Sequence, residues 1–113
     1  MMADIEKARW AQERGSILRT LKEDYVREMT SIRSLIRVLD AQGVPLSHDE
    51  LSFHLRYLAD QGYVRILRAR DLPGFRRDRP MDVSAETIMF AKLEPRGLQL
   101  LDGLIAEDPS VAF

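Results

Sequence analysis

The sequence predicts a mainly α fold with a small β-hairpin, in one domain spanning residues 1–113. Three observations predict it. Apolar residues recur at three- and four-residue spacings in three stretches before residue 62, as the buried stripe of a helix does. Two short apolar runs, rich in β-branched and aromatic residues, then flank a loop marked by Pro73-Gly74 and Arg79-Pro80. Finally, 113 residues are enough for one modest core and too few for two.

The first helix is expected from about Ala3 to Lys22, where Ile5, Ala8, Ala11, Gly15, Leu18 and Leu21 keep helical spacing. Gly15 inside it costs about 1 kcal/mol relative to alanine, so it marks either close packing against another helix or a break. Thr30 or Ser31 caps a second helix reaching about Ala41, with Ile32, Leu35, Ile36 and Leu39 as its stripe and Gly43 as its stop. Val44-Pro45-Leu46 reads as a short extended connector. The sharpest start signal follows. Ser47-His48-Asp49-Glu50 is a capping box, in which the serine hydroxyl accepts an amide at the third helical position and the glutamate reaches back. The helix behind it runs to about Gln61, burying Leu51, Leu55 and Leu58, and Gly62 closes it. Tyr63–Arg68 is the first strand, residues 69 to 85 the loop, and Thr87–Leu93 the second strand. Pro95-Arg96-Gly97 leads into a last helix from about Leu98 to Ile105, stopped by Asp108-Pro109.

Composition excludes several functions. The chain is 45% apolar and 31% charged, the balance of a soluble globular protein. Apolar runs such as Ile88-Met89-Phe90-Ala91 fall far short of the roughly 18 residues of a membrane span. The N-terminus is polar and mixed in charge, which is not a secretory signal, and a cytoplasmic protein is expected. There is no cysteine, hence no disulfide, thiolate catalysis or cysteine-bound metal. A net charge of −1 conceals segregation: residues 63–79 hold six arginines against two aspartates, and residues 80–113 two basic groups against six acidic ones. That arginine pole suits a nucleic-acid contact, or else forms a solvated loop neutralised by the acidic C-terminal third.

Three helices, a strand, a long loop, a strand and a helix describe a winged helix-turn-helix. In such a fold the capped third helix lies across an apolar platform with one long face exposed. At about 14 residues it fits the major groove of B-form DNA, while the wing reaches an adjacent phosphate strand or minor groove. With the leucines facing inward, the exposed face is expected to hold Asp49, Ser52, Phe53, Arg56 and Asp60, flanked by His48 and Tyr57. Arg56 is a candidate for guanine or phosphate, Ser52 for phosphate or a base edge, and Phe53 for a thymine methyl. Ser47 and His48 at the helix start complete that set. On the wing, Arg68, Arg70, Arg76, Arg77 and Arg79 are candidate phosphate ligands, and Arg65 is a candidate to pair with the acidic last strand or helix.

The run Leu55-Arg56-Tyr57-Leu58-Ala59-Asp60-Gln61-Gly62-Tyr63-Val64 resembles a signature of winged-helix regulators, and Leu93-Glu94-Pro95-Arg96-Gly97-Leu98 resembles their strand-to-helix exit. Across most of its length, including Asp102–Pro109, the chain is similar to small ArsR-like proteins of Mu-like prophages. The resemblance implies a DNA-binding transcriptional regulator acting on double-stranded DNA, and the first and last helices suggest a homodimer. One departure is plain. Metal-sensing members of the ArsR group use cysteine or clustered histidine and carboxylate ligands. Here the only histidines, His48 and His54, lie about 9 Å apart along one helix and about 120° apart around it. No metal, cofactor or catalytic site is expected: no phosphate-binding glycine loop, zinc-ligand spacing or Ser-His-acid arrangement is present. The rival is a winged-helix module that binds protein through Phe53, Tyr57 and Phe75. The acidic first turn of the third helix favours this rival, because Asp49 and Glu50 stabilise the helix dipole but repel phosphate.

Overall fold

Ser47 caps its helix as the local sequence implies: its Oγ accepts from the Glu50 amide at 3.1 Å, and Glu50 Oε1 accepts from the Ser47 amide at 3.1 Å. The structure, a computed structural model, describes residues 2–26, 29–75 and 84–113. Their order is α1 (Met2–Glu23), β1 (Thr30–Ser31), α2 (Ile32–Ala41), α3 (His48–Asp60), β2 (Val64–Arg68), a 3-10 turn (Ala69–Asp71), β3 (Ile88–Leu93) and α4 (Pro95–Leu101). Four helices thus stand around a small antiparallel sheet of strand order β1-β3-β2. No helix of the described residues is long and apolar enough to cross a membrane.

The expected stripes converge on one core except at the start of α1, where Ile5 and Ala8 are exposed. Ile17, Leu18 and Leu21 of α1, Leu35 and Leu39 of α2, and Leu51, Leu55 and Leu58 of α3 are all buried, joined from the sheet by Ala91 and Leu93. Ser31 caps α2, its side chain accepting from the Ser34 amide. Gly43 and Gly62 follow α2 and α3 with φ of 82° and 79°. Only glycine adopts that left-handed region without penalty, so both helices end where the sequence indicates.

Three features differ from the sequence-based expectation. The hairpin has a third strand: Thr30 and Ser31 pair with Ala91 and Phe90 before α2 begins. The last helix starts at Pro95, three residues earlier than expected, and ends at Leu101 instead of Ile105. Proline suits the first helical position because its fixed φ is already helical and its missing N–H has no partner there. Gly103, at φ 71°, turns the chain away soon afterwards. Gly15 marks close packing, not a break, but the partner is an extended segment instead of a helix. A Cβ on Gly15 would overlap the Ala112 carbonyl oxygen, and the Ala112 amide donates to Ala11 O at 2.9 Å.

The β2–β3 pairing carries an irregularity that shapes the surface. Leu67 faces Phe90 but Arg68 faces Ile88, which leaves Met89 as an extra residue in β3. The bulge lets Ile88 join Ala91 and Leu93 on the buried side, while Met89 and Phe90 both stay half-exposed.

Candidate nucleic-acid interface

Helix α3 has two dissimilar flanks, because α1 covers one and leaves the other open. The open flank carries His48, Asp49, Ser52 and Arg56, which together with Arg68 of β2 and Glu86 before β3 line a groove of about 480 Å³. His48 Nδ1 and Ser52 Oγ lie 3.4 Å apart at its mouth. Four of the expected DNA-contacting residues, His48, Ser52, Arg56 and Arg68, are therefore brought together. Ser47 is exposed beside them, with its hydroxyl engaged by the helix cap.

Among the described residues, charge in this groove is balanced. Glu86 accepts from Arg70 Nη1 at 2.8 Å and lies 3.7 Å from Arg68 Nε, while Arg70 Nε stands 3.9 Å from Asp71. Glu86 remains 63% exposed, and pairs of this kind contribute only about 0–1 kcal/mol, so a phosphate can displace the carboxylate at small cost. Arg56 is exposed and makes no ion pair among the described residues. Arg65 is likewise exposed, and the expected pairing with the last strand or helix is not found among the described residues. Arg76, Arg77 and Arg79 lie outside the described residues.

On the covered flank Phe53 is exposed, as expected, whereas Tyr57 is half-buried. Trp10 of α1 meets Phe53 edge-on with ring centroids 5.1 Å apart, leaving Phe53 40% exposed. Trp10 is thereby half-buried within its own chain. Tyr57 is more fully engaged: its hydroxyl donates to Asp108 Oδ2 at 3.0 Å, and the Arg14 guanidinium sits 4.0 Å above its ring. Tyr57 thus offers no free apolar surface, while Phe53 keeps part of its ring open to solvent. Phe75 is half-buried.

Beneath that flank lies a polar cluster that the sequence analysis did not single out. Arg14, Glu13 and His54 are 7%, 9% and 1% exposed. Arg14 Nε donates to His54 Nδ1 at 3.1 Å, and His54 Nε2 lies 3.5 Å from Glu13 Oε2. With Nδ1 accepting, the neutral ring carries its proton on Nε2 and directs it at the glutamate. Burial first, then the neighbouring Arg14 cation, pull His54 down to about 4, and burial raises Glu13 above its ordinary value. Arg14 also donates to Ser110 O at 3.4 Å. Asp108 accepts from both Tyr57 and Tyr63, so the last residues are tied to α1 and α3. One signal for His54 was present in the sequence: it stands three residues after Leu51 and four before Leu58, on the buried arc.

The remaining motif residues serve the fold. Arg96 Nε donates to Gln61 O at 3.1 Å, satisfying a carbonyl at the C-terminal end of α3, and its guanidinium lies over the Tyr63 ring. Among the described residues no three His, Asp or Glu side chains are grouped to hold a metal ion. Compared with protein-family models, with curated proteins and with solved structures, the chain matches none.

Proposed function

We propose that this chain is a winged helix-turn-helix protein that binds double-stranded DNA, with α3 in the major groove and the arginines around the β2–β3 connection on phosphates. The observation that carries the reading is the convergence of Ser52 and Arg56 of α3 with Arg68 of β2 around one open groove. The element order supports it. A short strand before α2, a six-residue link from α2 to α3, and a hairpin after α3 agree with the arrangement in which a helix is presented sideways to DNA. A cytoplasmic transcriptional regulator of prophage type, acting as a homodimer, is the role we infer. The exposed first turns of α1, Asp4 to Arg9, and exposed Leu104 after α4 are surfaces available to a second copy.

One observation favours a second reading, a protein-binding module of the same architecture. Arg56, Arg68 and Arg70 are matched in number by Asp49, Asp71 and Glu86 on the same side of the molecule. Against this reading, Tyr57, one of its proposed contact residues, is held by Arg14 and Asp108.

Fluorescence anisotropy with a mixed duplex pool at several salt concentrations separates the two. The DNA reading expects affinity that falls steeply with salt. Arg56→Ala is expected to reduce the log–log slope by roughly one unit, and Arg76→Ala/Arg77→Ala by roughly two. An absence of duplex binding at low salt would reject it in favour of the protein-binding module.

A further inference from the structure

A second groove lies beside the first, between α2 and β3. Its floor is Ile32 and Ile88, both 3% exposed, and its walls are half-buried Ile36 on one side and Met89 and Phe90 on the other. The β3 bulge creates it: two consecutive apolar side chains stay half-exposed where regular alternation would have hidden one of them. The volume is about 520 Å³, within the range of small-molecule sites.

Two observations say what fits. The groove also has polar residues in its lining, Ser31 and Arg33 at the start of α2, His48 at the start of α3 and Thr87 before β3, so its apolar stretch is short and suits a small molecule. Among the described residues no carboxylate lines it. Arg33 is exposed and makes no ion pair among the described residues, and the first turn of α2 holds no acidic residue to neutralise the partial positive charge there. The lining therefore combines an apolar trough with one unmatched cation.

We propose that this groove binds a small amphipathic carboxylate, an aliphatic or aromatic acid with its tail between Ile36 and Met89–Phe90 and its head at Arg33. The proposal does not depend on DNA binding by α3. His48, Thr87 and Ile88 line both grooves, so an occupant here touches residues that also shape the α3 groove.

Amide and methyl NMR titrations with octanoate and, separately, octan-1-ol test it. Octanoate is expected to give saturable shifts centred on Ile36, Met89 and Phe90. Arg33→Gln should weaken octanoate roughly five-fold, the upper end for an exposed charge pair, and leave octanol unchanged. Met89→Glu, which places a carboxylate in the trough, should abolish octanoate binding while the spectrum stays dispersed. Non-saturating shifts, shifts centred on exposed Leu104 and Phe113, or an octanoate affinity untouched by Arg33→Gln would overturn the proposal. Because Arg33 is exposed, its variant is expected to fold and keeps the test decisive even where Met89→Glu does not.

Discussion

Lowering the pH from 6.5 to 4 is expected to remove up to about 3 kcal/mol of folding stability through His54 alone. In the unfolded chain this imidazole takes a proton at its ordinary value of 6.5; in the fold, burial and Arg14 hold it down to about 4. The unfolded state therefore binds the proton first. The stabilisation is complete above 6.5, declines through the window between the two values, and is exhausted below about 4. At about 1.4 kcal/mol for each pH unit of displacement, the loss is a large share of the 5–15 kcal/mol typical of a small domain. Glu13 acts in the opposite sense. Its carboxyl is raised by burial, so protonating it as the pH falls relieves a cost and offsets part of the loss. Urea unfolding at pH 7, 5.5 and 4, with an NMR titration of the His54 ring in the folded protein, measures both. A His54 midpoint near 6.5 would contradict the buried Arg14–His54–Glu13 arrangement.

Gly97→Ala is expected to destabilise the fold by about 3 kcal/mol, although alanine is the better helix former by about 1 kcal/mol. Gly97 is buried in the first turn of α4, and a Cβ there would overlap the Tyr63 carbonyl oxygen and stand 2.6 Å from Leu93 Cδ1. The carbonyl cannot retreat freely because it accepts from the Glu94 amide at 2.9 Å. Leu93 is itself 1% exposed and has nowhere to move. A lower midpoint in urea at unchanged slope is the expected signature. A midpoint equal to or above that of the parent would mean that α4 does not pack on the β2 entry as described.

The parts legible in the sequence were those fixed by local chemistry. The capping box at Ser47, the Ser31 cap and the glycine stops at Gly43 and Gly62 each depend on residues within a few positions, and each forms where the sequence indicates. The leucine stripe of α3 was equally plain, because a single period of 3.6 residues fixes it. The misses depend on partners distant in the chain. Thr30–Ser31 has no strand signature of its own and becomes a strand only because β3 offers it an edge. Glu13 and Arg14 lie outside the apolar stripe of α1 and yet are buried. That helix packs against α2, α3, α4 and β3, so its buried arc is wider than one stripe. Tyr57 looked free because its partner, Asp108, lies 51 residues away.

At the candidate interface, Asp49, Ser52 and Arg56 of the expected exposed face share a groove with flanking His48, whereas Phe53, Asp60 and flanking Tyr57 do not line it. Helical periodicity could not foresee that Glu86 would reach Arg68 and Arg70. That contact depends on the register of β2 against β3 and on the turn that precedes β3.

The most direct test of the central claim is an amide NMR titration of the full chain with a short duplex at low salt. The DNA-binding account predicts the largest shifts at His48, Ser52, Arg56 and Arg68, with Phe53 and Tyr57 little changed and the whole pattern suppressed by added salt. Shifts absent from α3, or concentrated on α1 and α4, would contradict it.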